Sequence, residues 1–208
     1  MNSHHVAGIV LAAGQSSRLG RPKQLVELDG KPLVVRAIEK LVAARCVPVL
    51  TVLGANAKEI RTVLSDSPTE LLINPCWQQG IGSSIAAGCR QLAGRADFIL
   101  ITLCDQPFVS VNHLALLIEA VAADGYSIAA SQYPNGADGV PAAFSQQHFA
   151  NLRRLSGDCG ARQLIEQSEH FRIPLDEGHV DLDTPYDLTE LRSRIALQAT
   201  QETSNANS

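Results

Sequence analysis

With 208 residues, 45% of them apolar and 18% charged, the chain has the size and composition of a soluble globular protein that can bury one sizeable core. A formal net charge of -4 supplies no broad basic surface, which excludes a nucleic-acid backbone as the principal ligand. No run of about 18 apolar residues offers a membrane span, and the start "MNSHHVAGIVLAAG" lacks the basic and long apolar regions of a secretory signal. The five cysteines are scattered and never spaced as CxxC, so the expectation is a protein of the reducing cytoplasm with neither a disulfide framework nor a zinc knuckle.

In chain order, short apolar and β-branched runs at 6–12, 47–53, 70–74, 98–103 and 127–132 predict strands. Between them, helical spacing of apolar residues predicts helices over 31–45, 56–64, 82–94 and 110–124. Near-continuous apolar strands joined by helices imply a mainly parallel sheet covered on both faces, because each crossover helix must shield one face. The predicted fold class is therefore α/β, a three-layer doubly wound sandwich. After about residue 133 the rhythm changes. "YPNGADGVPAAFS" reads as a Gly/Pro-rich antiparallel excursion, "QQHFANLRRL" and "GARQLIEQS" as two small helices, "HFRIPL" as a last apolar piece, and 185–198 as a final helix. No linker divides the chain, so one domain is expected over 1–198, followed by a disordered polar tail over 199–208.

Ligands of doubly wound sheets bind outside the carboxyl ends of the strands, so the residues directly after each apolar run carry the functional information. The first such loop, within "LAAGQSSRLGRPKQL" at 11–25, matches neither GxxxxGK[ST] nor GxGxxG. Its small residues Ala12, Ala13 and Gly14 permit close backbone approach, and Ser16, Ser17, Arg18 and Lys23 offer donors to an anionic group. After the fourth predicted strand comes "CDQP", where Asp105 is placed either to hold a hard cation or to shape the turn before Pro107. In "VDLDTPYDL", Asp181 and Asp183 share a face if the segment is extended, and Asp183 or Thr184 can equally cap a helix that begins at Pro185. In "NPCWQQGIGSSIAAG", Gly80, Gly82, Ser83 and Ser84 open a helix whose first N–H groups suit a carbonyl or an anion, or are simply capped by serine. Trp77 is read as a packing residue. His148, His170 and His179 are unclustered and are read as surface or packed histidines.

These blocks, in this order, resemble the MobA-like nucleotidyltransferases over residues 6 to about 195. "LAAGQSSRLGRPK" is similar to the family signature LAAGxSxRMGxxK with Leu19 in place of Met, and "CDQP" to the GDQP of the molybdenum cofactor cytidylyltransferase branch. "VDLDTPYDL" is similar to DIDTPEDL, and the Trp77 block to NPxWxxGMSSSL. "GVPAAF" and "GDCGAR" resemble the branch's GxPxLF and GDxGAR, with Val140 standing where a polar residue is common.

The resemblance implies a fold of the nucleotide-diphospho-sugar transferase type and a Mg²⁺-dependent transfer of CMP from CTP to molybdopterin cofactor. Leu11 to Gly14, with Ser16, Gly80, Ser83 and Ser84, would hold the nucleotide, while Arg18 and Lys23 neutralise the triphosphate. Asp105 would bind the metal with Asp181, favoured over Asp183. Gly139, Pro141, Asp158 and Arg162 would meet the acceptor. The implied partners are CTP, the phosphate acceptor and, transiently, the molybdoenzyme or chaperone that receives the product. The rival expectations are a guanylyltransferase, a sugar-1-phosphate nucleotidyltransferase and a non-catalytic cofactor carrier. Retention of Lys23 and Asp105 argues against the carrier.

Overall fold

Seven strands form the central sheet, and their burial explains the sequence pattern. The computed structural model describes residues 4–123, 125–175, 182, 184, 186–191 and 193. The strands are β1 (Val6–Ala12), β4 (Val49–Leu53), β5 (Glu70–Ile73), β6 (Phe98–Leu103), β7 (Ile128–Gln132), β8 (Asp138–Ser145) and β9 (Phe171–Pro174). Their spatial order is β5-β4-β1-β6-β8-β7-β9. All pairs are parallel except those of β8, which runs antiparallel to both β6 and β7. Every residue of β1 and β4 is buried, as expected of inner strands shielded on both faces.

The main helices are α1 (Leu33–Ala43), α2 (Ala57–Val63), α3 (Ile81–Gln91) and α4 (Val111–Ala123), followed by the short α5 (Phe149–Leu152) and α6 (Arg162–Glu166). Leu41, Ile60 and Leu117 pack with Val10 and Leu100 on one face of the sheet, so α1, α2 and α4 lie there. Ile85, Leu152 and Ile165 pack with Ile9 and Ile101 on the other, which places α3, α5 and α6 opposite. This is the expected three-layer sandwich. Among the described residues no helix is long and apolar enough to cross a membrane.

Two local differences from the sequence reading have physical causes. The helix predicted from residue 31 begins at Leu33, because Lys31–Pro32 (β3) pairs antiparallel with Glu27–Leu28 (β2). Asp29 and Gly30 between them take φ of 52° and 70°, the two positive angles that a tight hairpin turn needs. The excursion expected after residue 133 is an eight-residue strand in the interior of the sheet. It tolerates Pro141 because the β7 register passes from Ala130↔Ala142 to Ser131↔Gly139, and the β6 pairing reaches only Ala142. Val140 and Pro141 are thus bulged out of both ladders, where a missing N–H costs no ladder bond.

A third apolar cluster joins Leu19, Val26, Leu28 and Leu33 to Leu182, Leu188 and Leu191. The late segment, helical over 186–191, is therefore anchored against the loop that follows β1. The tail expected over 199–208 lies outside the described residues.

Candidate active site

The loop after β1 is shaped by a single-turn 3-10 helix, Lys23–Leu25. Its first residue makes an ion pair with Asp105, which stands two residues beyond the end of β6. Its second, the fully buried Gln24, turns its amide the opposite way and donates to the carbonyls of Ala12 and Gly14 at 3.0 and 2.8 Å. The carbonyl of Ala13 accepts from the Ala55 N–H at 3.0 Å. Ser16, in the left-handed region with φ of 58°, accepts the Lys23 N–H on its hydroxyl at 3.0 Å. The backbone of the loop is therefore held largely by its own groups and by one turn of helix, with Leu19 and Lys23 tying it to distant elements.

Facing the loop is the start of α3. Asn74 donates to the Ser83 and Ser84 hydroxyls at 2.9 and 3.1 Å and accepts the Cys76 N–H on its own oxygen at 3.0 Å. The Ser83 hydroxyl lies 2.8 Å from the Gly80 carbonyl and 3.0 Å from that of Cys76, so its proton is used within the turn. Gly80, with φ of 96°, is required by packing as well as by angle. A Cβ there would come within 2.4 Å of Asp158 Oδ1 and of the Gly157 backbone. A Cβ on Gly54 would strike Trp77 at 2.5 Å and the Ala13 carbonyl at 2.7 Å, which fixes the indole beside the loop.

Between these elements lies a cavity of about 350 Å³ lined by Leu11 to Gly14, Lys23, Gln24, Trp77, Gly80, Ser84, Asp105 and Asp158. A second cavity, of about 860 Å³, opens beside it over the start of β8 and the 157–166 turn and helix, and Ile81 and Asp158 line both. Its walls include Tyr133, Gly139, Val140 and Arg162. Arg162 is exposed and donates from Nε to Glu166 at 2.7 Å on its own helix. The Tyr133 hydroxyl donates to the Val140 carbonyl and accepts from Gln106 Nε2 at 2.7 Å, linking the loop after β6 to the wall of the larger cavity.

Most predicted site residues thus converge. Leu11, Ala12, Ala13, Gly14, Lys23, Gly80, Ser84 and Asp105 line the smaller cavity, and Gly139, Asp158 and Arg162 the larger. Arg18 is exposed on the same loop but outside the cavity lining, and Ser83 lines a separate depression with Asn74 and Arg154. Pro141 is buried behind the wall, its carbonyl accepting from the Ser131 hydroxyl at 2.6 Å. Asp181 and Asp183 lie outside the described residues. Leu182 between them is buried, and its N–H donates to the Asp105 carbonyl at 3.2 Å. No cluster of three or more potential metal ligands occurs among the described residues.

The electrostatics divide into a working side and a support. Asp105 is only 7% exposed, and Lys23 is its neighbouring cation. Behind it, burial and the Asp105 carboxylate push the Cys104 thiol well above its usual range, so that it stays neutral. Lys40 of α1 donates to the Pro107 carbonyl at 2.5 Å, and burial, with Arg36 nearby, lowers its pKa to about 8. Gln24, Gln106, Tyr133 and Lys40 were not singled out by the sequence. A buried glutamine or lysine carries no mark in one sequence that separates it from an exposed one.

Strands in the order β5-β4-β1-β6-β8-β7-β9, with a small-residue loop after β1 and a lysine–aspartate pair at the carboxyl edge, define an α/β fold of the Rossmann-like nucleotide-sugar transferase type. The MobA-like NTP transferase domain model matches residues 8–171, and the chain belongs to that family. It is 34% identical to nicotine blue oxidoreductase of Paenarthrobacter nicotinovorans, over 78% of this chain and 82% of that one. It is 28% identical to molybdenum cofactor guanylyltransferase of Rhodobacter capsulatus, over 93% and 98%. Rv0371c of Mycobacterium tuberculosis superposes with a TM-score of 0.81 at 26% identity, covering 92% of this chain and 99% of that one, and has also been solved in complex with manganese.

Proposed function

We propose that the protein transfers CMP from CTP to the terminal phosphate of molybdopterin cofactor and releases pyrophosphate, with a divalent cation, Mg²⁺ or Mn²⁺, at Asp105. The observation that carries this reading is the Lys23–Asp105 pair at the carboxyl edge of the sheet, beside two cavities that share Ile81 and Asp158. The smaller cavity is the one for the nucleotide and the larger one for the acceptor. An acceptor phosphate oxygen attacks the α-phosphorus, the bond to the β-phosphate oxygen breaks, and the electron pair leaves with pyrophosphate. No side-chain nucleophile is needed for this, so the protein's task is alignment and charge stabilisation.

Lys23 would neutralise the phosphates as charge moves to the leaving group, helped by Arg18 from the exposed part of the loop. Asp105 would hold the cation, with Asp181 or Asp183 as the second carboxylate, and a cation bound there supplies charge neutralisation at the phosphates. The donor set fits a hard cation that takes one or two carboxylates and completes its shell with phosphate and water oxygens. Gly139, Asp158 and Arg162 would meet the acceptor, with Pro141 supporting them from behind.

A guanylyl reading is favoured by the likeness to the Rhodobacter guanylyltransferase. The experiment is pyrophosphate release by the purified protein with molybdopterin cofactor, CTP or GTP, and Mg²⁺ or Mn²⁺. Turnover with CTP is the expected result, and turnover with GTP alone moves the assignment to the guanylyl reading. Release only with hexose 1-phosphates removes the acceptor. Cofactor binding without release from any nucleotide leaves the carrier, and redox turnover of nicotine blue in place of release would align the chain with the oxidoreductase relative.

A further inference from the structure

Gln24 is fully buried, yet its amide oxygen has no hydrogen-bond partner among the described residues. Its nitrogen donates to two carbonyls, Ala12 and Gly14, on either side of Ala13. The orientation of the amide is dictated by this pair, since the flipped form would press an oxygen against two carbonyl oxygens. A buried glutamine retained with half its amide unused is a poor packing residue, because an apolar side chain of the same length would fill the space without stranding an acceptor. What the amide accomplishes is directional. In a planar trans peptide the carbonyl of one residue and the N–H of the next point opposite ways. Fixing the Ala12 and Gly14 carbonyls on Gln24 therefore turns the Ala13 and Gln15 N–H groups to the other side of the loop. With the Ala13 carbonyl taken by Ala55, three successive peptide planes that border the smaller cavity are set before any ligand arrives.

We propose that Gln24 is a positioning residue for the nucleotide: it presets the 12–15 backbone, so that ordering of this loop is not charged against nucleotide binding. The proposal rests on the smaller cavity being the nucleotide site. Gln24 acts through the loop, while the adjacent Lys23 of the same helical turn reaches Asp105. One turn thus sets both the loop conformation and the position of the cation that faces the phosphates.

The test is nucleotide binding, read from the fluorescence of Trp77, the one tryptophan of the chain, which lines the same cavity. Wild type, Gln24→Met and Gln24→Glu are titrated with CTP and with GTP in the presence of Mg²⁺. Gln24→Met keeps length and apolar volume but loses both donors, and is expected to raise the Kd about 10-fold. Gln24→Glu turns a carboxylate towards two carbonyls and is expected to raise it further. In the transfer assay the loss is expected in KM for the nucleotide, with kcat at saturation largely kept. A Gln24→Met protein with native near-UV circular dichroism and unchanged Kd overturns the proposal, since a packing role alone is restored by methionine. Amide hydrogen exchange of the wild type tests the same point without a variant. The Ala55 amide, which donates to the Ala13 carbonyl, is expected to be protected before nucleotide is added, and protection that appears only with nucleotide overturns the presetting. Absence of nucleotide binding by the wild type would instead remove the functional reading, and the exchange measurement would still decide on the clamp.

Discussion

The two cavities are built in opposite ways, and the contrast predicts how each responds to change. The smaller is walled by backbone at the ends of parallel strands, with the carbonyls of Ala12, Ala13 and Gly14 all held and Asp105 and Ser84 buried. The larger is walled by an antiparallel strand with a bulge and by a turn whose charged groups, Asp158 and Arg162, are exposed. A wall made of pinned backbone accepts one shape, whereas a wall of exposed side chains can be re-dressed without disturbing the sheet. Variants on the first side should therefore strike nucleotide binding or the transfer step itself. Variants on the second should alter which acceptor enters and how tightly.

The largest expected effect is that of Asp105→Ala. Removing the carboxylate proposed to hold the cation should lower kcat for pyrophosphate release by on the order of 10³-fold, a size typical of losing a charge-stabilising group in a closed site. Nucleotide binding should survive in part, because the 12–15 loop does not depend on Asp105. Steady-state release and Trp77 quenching measured side by side check this, and turnover close to wild type would remove the metal from Asp105.

Next in size is the support of the loop after β6. Lys40 donates to the Pro107 carbonyl from a desolvated position, and its pKa is lowered from 10.5 to about 8. Because the folded value lies below the unfolded one, the unfolded chain binds more protons between pH 8 and 10.5, and stability rises with pH across that window. At pH 7 the lysine is charged in both states, so the full cost of its burial is felt there. The urea stability of wild type minus that of Lys40→Met should grow by up to about 3 kcal/mol between pH 7.5 and 10.5. Parallel pH profiles of the two proteins would show that Lys40 is solvated.

These two positions also mark what one sequence can carry. Asp105 was legible because the first charged residue after "FILITL" has to stand at the sheet edge, and the strands β1, β4 and β6 were legible because a twice-covered strand is apolar nearly throughout. The central position of β8 was not legible, because Gly139 and Pro141 are residues that an inner strand normally excludes, and only the register jump beside Ala130 shows how they are accommodated. Lys40 was illegible for a different reason. On α1 it follows Glu39 in an ordinary helical pattern, and its burial arises from a loop 67 residues further along the chain. Gln24 shares this property, as does the Gln106–Tyr133 link, since long-range hydrogen bonds leave no local period.

On the acceptor side, Tyr133→Phe keeps the ring against Gly139 but removes the hydroxyl that donates to the Val140 carbonyl and accepts from Gln106. The bulge at Val140 then loses this tie to the loop after β6. The expected result is a rise of about 5- to 10-fold in KM for the acceptor, with the Kd for CTP unchanged. Equal shifts in both constants would mean that the two walls move together and that the contrast between them is false.

The smallest effect belongs to Glu166→Gln. The Arg162–Glu166 pair spans one helical turn with side chains 63% and 51% exposed, so its loss should change stability by less than about 0.5 kcal/mol. Its consequence for the acceptor has a definite sign. Glu166 holds the Arg162 guanidinium by Nε and offsets its charge beside the cavity, so neutralising Glu166 leaves the arginine freer to meet an acceptor phosphate. KM for the acceptor should fall by about two-fold, a few tenths of a kcal/mol, as befits an exposed pair. Salt should erase the difference, because the interaction is screened in water. A KM that stays the same at low ionic strength would take Arg162 out of the acceptor site and leave it as a solvated residue of a short helix.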